Sequence, residues 1–114
     1  MHLNLDFQEK KGIALTYLNQ LDQAQKVFQF ILQEHPKRPV ALCNFGFTKA
    51  LQNDFGSALA FYDRAIALDP DYEQALINKA ALLKHLRKEK ESDQLLKRVL
   101  EINPNNLQAK QFLN

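Results

Sequence analysis

Proline recurs at a fixed interval along this chain of 114 residues. The runs QFILQEHP, RAIALDP and RVLEINP end at Pro36, Pro70 and Pro104, so that successive prolines are equally spaced. Because proline lacks a backbone N–H and pushes the preceding residue away from helical angles, each of them predicts the end of a helix. A period of about 34 residues indicates an array of repeated helical units. It divides the chain into windows 5–38, 39–72 and 73–106, and residues 107–114 begin a fourth.

Small and large residues recur at the same period. One set in the first half of each window is small, and two sets in the second half are small and large respectively: Gly12, Gly46 and Ala80; Ala24, Ala58 and Ser92; Phe28, Tyr62 and Leu96. A glycine inside a helix costs about 0.5–1 kcal/mol relative to alanine. Its recurrence therefore predicts that the backbones of two helices approach closely at these positions.

Each window contains two amphipathic runs separated by a polar turn. In the first window these runs are 5–18 and 22–34, and in the second they are 40–52 and 55–68. In the third window the segment HLRKEKES is expected to form the turn, and its charges to lie in a solvated loop. Asp22 followed by Gln25 has the spacing of a capping box, and Pro39 is expected in the first turn of its helix.

Composition excludes several classes of protein. The chain is 46% hydrophobic and 25% charged, which is typical of an ordered protein, and its net charge of +2 is too small to predict nucleic-acid or membrane binding. No apolar run is long enough to span a membrane, and the N-terminus lacks the apolar segment of a signal peptide. The single cysteine, Cys43, excludes an internal disulfide and favours a reducing compartment. A cytoplasmic location is expected from the absence of targeting signals.

The chain offers no pattern that predicts catalysis. His2, His35 and His85 have no metal-ligand spacing with one another or with Cys43. A Cys43–His85 nucleophile pair has no local support, and a lone cysteine in a helix is more often a small buried hydrophobe. We therefore expect no enzymatic activity, no metal and no cofactor.

The period and the residues that carry it resemble the tetratricopeptide repeat family. The carrying residues are Gly12, Ala24, Phe28, Ile31, Pro36, Leu42, Phe45, Gly46, Ala58, Tyr62, Ala65, Pro70, Leu76, Ala80, Leu96, Val99 and Pro104. Polar residues depart from the pattern at Gln8 and Lys11, as expected of a first repeat with a polar outer face, and at Lys49 and Lys79. The resemblance implies an all-α fold, a right-handed superhelical solenoid of antiparallel helix pairs. It also implies a single array over 1–114 in which 107–114 is a capping or truncated helix.

The resemblance further implies a groove lined by the first helices of successive repeats, which binds a partner protein. The residues expected to contact the partner are Ile13, Tyr17, Cys43, Asn44, Phe47, Leu51, Ile77, Asn78, Ala81, Lys84 and His85. The helix 40–52 supports a groove independently, because it is apolar nearly all round, whereas one stripe is sufficient for its own core. Phe47 and Leu51 could equally fill space between neighbouring repeats, and Asn44 and Asn78 could be ordinary exposed residues.

Two functions remain open from the sequence. The first is an interaction scaffold that binds a hydrophobic or amphipathic peptide or helix. Some members of the family bind a C-terminal carboxylate through basic residues and asparagines in the groove, and we do not expect this chain to do so. At the matching positions it has Glu9, Ile13, Gln74 and Asn78, and only Asn44 fits. The second is a self-associating structural array, or a fragment of a longer protein, in which another copy fills the groove.

Overall fold

The computed structural model describes residues 4–113 and consists, over that range, of α-helices joined by short turns. The helices are α1 (Leu5–Tyr17), α2 (Leu21–Glu34), α3 (Pro39–Leu51), α4 (Phe55–Leu68), α5 (Glu73–His85), α6 (Glu89–Ile102) and α7 (Leu107–Leu113). Residues 1–3 and Asn114, which belong to the expected array over 1–114, lie outside this range. In the described part of the chain, no helix is both long enough and apolar enough to cross a membrane.

The three turns inside the repeats share one backbone conformation. Asn19, Asn53 and Arg87 follow α1, α3 and α5 with positive φ angles of 61°, 62° and 64°. Asparagine tolerates this left-handed conformation better than most side chains do, whereas arginine has no such advantage. The third turn is shorter than expected, because α5 extends to His85 and α6 begins at Glu89. The expectation that the charged segment 87–91 is a loop is therefore wrong for Glu89–Glu91, which form the exposed first turn of α6.

The beginnings of the helices correct one expectation and confirm another. α2 begins one residue earlier than expected, so Gln20 is its N-cap and makes no side-chain capping bond. Asp22 then lies inside the first turn, and the capping box with Gln25 does not form. By contrast, Asp54 caps α4 by accepting a hydrogen bond from the Ser57 N–H at 3.3 Å. Pro39 begins α3 as expected, since its missing N–H has no partner there in any helix.

The helices pair in sequence order, and each pair stacks on the next. α1 packs on α2, α3 on α4 and α5 on α6, and α7 packs against α5 and α6. The buried side chains form three clusters along an array of 45 × 26 × 21 Å, centred on Phe28, on Tyr62 and on Leu96. Each cluster combines residues from neighbouring pairs, so stability is expected to be a sum of nearest-neighbour contacts.

The recurrent small residues make room chiefly for aromatic rings. A Cβ added at Gly12 would lie 2.6 Å from Cζ of Phe28, and one at Gly46 would lie 2.7 Å from Cε1 of Tyr62. Backbone approach is the smaller part of the effect, since the Ala58 carbonyl oxygen would be 3.2 Å from that added atom at Gly46. In the third repeat, the buried Ser92 hydroxyl donates to the carbonyl of Ala80 at 2.8 Å, which allows serine in place of alanine.

Two of the lysines that depart from the family pattern, Lys49 and Lys79, link neighbouring helices. Lys49 of α3 donates to the side-chain oxygen of Gln25 in α2 at 2.9 Å. Lys79 of α5 forms an ion pair with Asp63 of α4, with 2.6 Å between Nζ and Oδ1. Both lysine side chains are partly buried, and the ammonium group of each reaches a polar partner on the neighbouring helix. The ion pair with Asp63 therefore explains why a lysine is found at position 79, where it departs from the family pattern.

Candidate binding groove

The first helices of the repeats and α7 lie side by side and form one wall of the array, because α1 contacts α3, α3 contacts α5 and α5 contacts α7. Two depressions occupy this wall. We call the first, of about 340 Å³, the amide pocket; its lining residues are Ile13, Thr16, Tyr17, Asn44, Phe47, Gln74, Ile77, Asn78, Ala81, Gln108 and Phe112.

The second depression lies nearer the turns that follow α3 and α5. We call it the apolar pocket; it measures about 320 Å³ and is lined by Phe47, Ala50, Leu51, Asn53, Phe55, Tyr62, Asn78, Ala81, Leu82 and His85. Phe47, Asn78 and Ala81 belong to both linings. The two pockets are therefore parts of one continuous groove.

Nine of the eleven predicted groove residues line this groove. They are Ile13, Tyr17, Asn44, Phe47, Leu51, Ile77, Asn78, Ala81 and His85. Their exposure differs, because Tyr17 stands 74% exposed at one end while Ile77 is buried in the floor. Two aromatic contacts join groove residues of different helices: Tyr17 with Phe47, at 5.8 Å between ring centroids, and Phe55 with His85, at 5.3 Å.

Cys43 does not belong to the open surface, so the expectation for this residue is wrong. Its side chain is fully buried, and the Asn78 amide Nδ2 donates to its sulfur at 3.4 Å. Burial raises the pKa of the Cys43 thiol to about 12, since the thiolate would lose its hydration. The residue is a core side chain beneath the groove, and α3 is apolar on this face because α5 covers it.

Lys84 also lies outside both pockets. Its ammonium group donates to the backbone carbonyl of Phe112 at 2.6 Å, near the C-terminal end of α7. A cation at this position satisfies a carbonyl that has no partner within the helix and interacts favourably with the helix dipole. Lys84 therefore holds α7 against α5 instead of facing a partner.

Two helices that the sequence did not predict to take part also line the groove. Phe55 comes from α4, a second helix of its pair, and Gln108 and Phe112 come from α7. The period offered a signal for the residues of α7: Phe112 lies one period after Asn78, and Gln108 lies one period after Gln74. Extending the pattern into the fourth window would have placed both on the same wall.

The amide groups in the groove are incompletely hydrogen-bonded. Gln74 donates from Nε2 to Oδ1 of Asn78 at 2.7 Å, which leaves the weakly accepting sulfur of Cys43 as the partner of Asn78 Nδ2. Within residues 4–113, the side-chain amides of Asn44 and Gln108 make no hydrogen bond. The groove thus presents donors and acceptors that a bound chain can use.

Charged side chains are absent from the linings of both described pockets.

Glu9, at the second turn of α1, is 5% exposed and receives two hydrogen bonds of 2.9 Å from Nε and Nη2 of Arg38. This bidentate pair raises the pKa of Arg38 through the hydrogen bond to Glu9, and each residue neutralises the other. Over residues 4–113, no cluster of His, Cys, Asp and Glu could hold a metal ion.

Comparison with known proteins assigns the chain to a family. The family model described as the tetratricopeptide repeat matches residues 49–114, which is more than half of the chain. The chain belongs to the tetratricopeptide repeat family. A DnaJ homolog subfamily C member 7 homolog of Dictyostelium discoideum is 32% identical over 84 residues, which are 74% of this chain. The chain spans only 15% of the length of that relative.

Solved structures share the architecture of this tetratricopeptide repeat chain. The first TPR domain of human RPAP3 has a TM-score of 0.87 at 26% identity, over 93% of this chain and 84% of that one. The first TPR of Spaghetti (RPAP3) bound to an HSP90 peptide has a TM-score of 0.85 at 26% identity, over 94% of this chain and 85% of that one. The expected all-α solenoid of helix pairs is therefore confirmed, and the family consists of interaction modules rather than enzymes.

Proposed function

We propose that this protein is an interaction scaffold whose groove binds a hydrophobic or amphipathic segment of another protein. The observation that carries the proposal is the continuous, uncharged groove formed by the amide and apolar pockets. Desolvating apolar walls such as Phe47 and Leu51 is favourable by roughly 25 cal/mol per Å² of apolar surface. The residues proposed to contact the partner are the nine predicted residues that line the groove, together with Phe55, Gln108 and Phe112.

The absence of a carboxylate clamp is part of the proposal. The Spaghetti domain binds an HSP90 peptide, and the second TPR domain of human RPAP3 binds an HSP70 peptide. At the positions expected to supply basic groups, this chain has Glu9, Gln74 and Asn78, and Arg38 is committed to Glu9. A free carboxylate would gain no charge-assisted hydrogen bond from the described lining of this groove.

Exchanging Phe47 for glutamate tests the groove. Phe47→Glu places a charge at the centre of the groove and should reduce retention of a partner captured by the wild-type protein at least about tenfold. Phe30→Glu is the matched control, because Phe30 is 48% exposed on α2 and lies outside both pockets. Equal retention by the two variants, both folded by circular dichroism, would overturn the groove assignment.

A direct titration tests the missing clamp. The HSP90 peptide SRMEEVD, which the Spaghetti domain binds, should show no saturable binding to this chain below millimolar concentration. Blocking its C-terminal carboxylate as an amide should change nothing, because the groove offers that carboxylate no cation. Micromolar binding that disappears on amidation would contradict the proposal.

The lone thiol favours a reducing compartment such as the cytoplasm, and fractionation of cells that express the tagged protein tests this location.

Self-association is the second candidate, and exposed apolar side chains in α1 and at its C-cap favour it. Phe7, Tyr17 and Leu18 are 64%, 74% and 67% exposed, and Tyr17 also lies at the end of the groove. Tyr17 and Leu18 are neighbours in the chain, and exposed apolar groups of this kind can mark contacts between proteins. Sedimentation velocity over a wide concentration range distinguishes the candidates: a dimer that Phe47→Glu abolishes identifies another copy as the occupant, whereas a monomer leaves the groove to a different protein.

A further inference from the structure

The apolar pocket differs from the rest of the groove in where its walls come from. The amide pocket is built from first helices and α7, whereas Phe55 of α4 and the turn residue Asn53 close one side of the apolar pocket. Leu51, Phe55 and Ala81 supply apolar surface, and His85 stands at the rim with its ring against Phe55. The result is a recess at one end of the groove.

The size of this recess suits one bulky side chain. An enclosed apolar cavity of about 150 Å³ is large enough to bind benzene, and the recess is open and measures about 320 Å³. Its floor includes Leu82 and the ring of the buried Tyr62. A leucine, methionine or phenylalanine side chain would therefore find apolar contacts on several sides.

The unpartnered amides indicate the conformation of the bound segment. A helix satisfies most of its backbone groups internally and would leave Asn44 and Gln108 without partners as it covered them. An extended chain carries unpaired N–H and C=O groups along its length, and these can pair with amide side chains. Covering a polar group without giving it a hydrogen bond costs about 1–3 kcal/mol, so the amide pocket favours an extended segment.

Charge restricts the occupant as well. The described lining residues include no lysine, arginine, aspartate or glutamate, so a charged residue of the ligand would lose hydration without gaining an ionic partner. The part of the ligand inside the groove should therefore be uncharged.

Resting on the proposed function, we infer that the groove binds an extended, uncharged peptide segment that inserts one bulky apolar side chain between Leu51, Phe55 and Ala81. The backbone of the segment is held by the amides of Asn44 and Gln108 in the amide pocket. The inserted side chain fixes the register, because the amides of Asn44 and Gln108 lie in the amide pocket only, apart from the apolar recess.

A phage-displayed library of random 12-residue peptides, selected on the full chain, tests this inference. The enriched peptides are synthesised with both termini blocked, and their affinities are measured by fluorescence polarisation. They should share one leucine, methionine or phenylalanine within an uncharged stretch. Replacing that residue by alanine should weaken binding at least about tenfold. Transferred nuclear Overhauser effects should show an extended bound peptide.

Leu51→Glu and Leu68→Glu form a matched pair for the protein side. Each leucine is the last residue of its helix, and they are 45% and 43% exposed, but Leu68 lies outside the groove. Leu51→Glu should weaken binding at least about tenfold, and Leu68→Glu less than about twofold. Ala81→Met, which adds no charge and fills the recess, should have the same effect as Leu51→Glu.

Each alternative result points to a specific failure. If Leu51→Glu and Ala81→Met bind normally while Phe47→Glu does not, the recess is not an anchor, but the proposed groove remains. A helical bound peptide, or enrichment of acidic peptides, would likewise overturn the inference. If Phe47→Glu also binds normally, or if no peptide is enriched, both the inference and the proposed function fail.

Discussion

The first and second repeats bury different kinds of side chain at the same position of their first helices. Glu9 of α1 and Cys43 of α3 are one period apart, and both side chains are buried. In the first repeat the connecting segment supplies Arg38, which forms two hydrogen bonds with the Glu9 carboxylate. The residue one period after Arg38 is Tyr72, and beside it the buried position holds a neutral thiol. The position is buried in both repeats, so the residue type found there depends on the side chain that the following connecting segment supplies as its partner.

At another pair of positions the two repeats agree. Gly12 lies under the ring of Phe28, and Gly46 lies under the ring of Tyr62, with almost the same distances to an added Cβ atom. The aromatic rings of Phe28 and Tyr62 leave room only for glycine beneath them. At the position of Glu9 and Cys43, by contrast, either an ion pair or a neutral thiol fills the buried space. The difference shows which positions of a repeat are constrained by shape and which by the partner across the contact.

The largest expected effect comes from breaking the ionic pair of the first repeat. Arg38→Ala leaves the Glu9 carboxylate buried without its counter-ion, which should lower the free energy of unfolding by about 2–3 kcal/mol. This is below the cost for a fully buried pair, because the Arg38 side chain is 32% exposed. Urea denaturation measures the change. The double variant Glu9→Cys/Arg38→Tyr, which imports the residues of the second repeat, should recover at least half of the loss; no recovery would contradict the comparison.

An intermediate effect is expected where the repeats agree. Gly46→Ala forces a methyl group against the Tyr62 ring and the Ala58 carbonyl. Overpacking of this kind costs about 1–3 kcal/mol, of which a better helix propensity returns up to about 1 kcal/mol. Gly56→Ala is the control, since nothing lies within 4 Å of its added Cβ, and it should leave stability unchanged or raise it. Thermal unfolding of both variants measures the difference; equal shifts in the same direction would show that shape does not constrain Gly46.

The smallest effect concerns the helix beginnings, which again differ between the repeats. Asp54 caps α4, whereas Gln20 makes no capping bond at the start of α2. The bond from Ser57 lowers the pKa of Asp54. Because the pKa of Asp54 is lower in the folded state than in the unfolded state, its ionised carboxylate stabilises the fold at pH values above the ordinary pKa of about 4. This stabilisation is lost as the pH falls through the lowered folded-state pKa.

Melting temperatures between pH 7 and pH 2 measure this contribution. The wild type should melt above Asp54→Ala at pH 7, and the gap should narrow as the pH falls below about 4. Asp54→Asn keeps a capping oxygen and removes the titration, so its melting temperature relative to Asp54→Ala should be independent of pH. A gap between wild type and Asp54→Ala that is also constant with pH would rule out the charged cap as its cause.

The candidate site could be predicted from the sequence as far as the period reaches. Residues such as Asn44, Phe47 and Asn78 lie on the groove wall because a repeat places the same face of each first helix on the same side. Cys43 was misplaced because the pattern does not show that α5 covers that face of α3. Lys84 was misplaced because its partner is a backbone carbonyl, a group that every residue carries.

What the sequence by itself determined is the number of helices within the periodic windows, their approximate ends, and the positions that must be small. These follow from local rules: proline ends a helix at any position beyond its first turn, and an amphipathic stripe repeats every three to four residues. The tertiary structure alone decided that Glu9 is buried and paired, and that Phe55 closes one side of the apolar pocket. Those facts depend on contacts between residues far apart in the chain, and a linear pattern does not specify which side chains meet there.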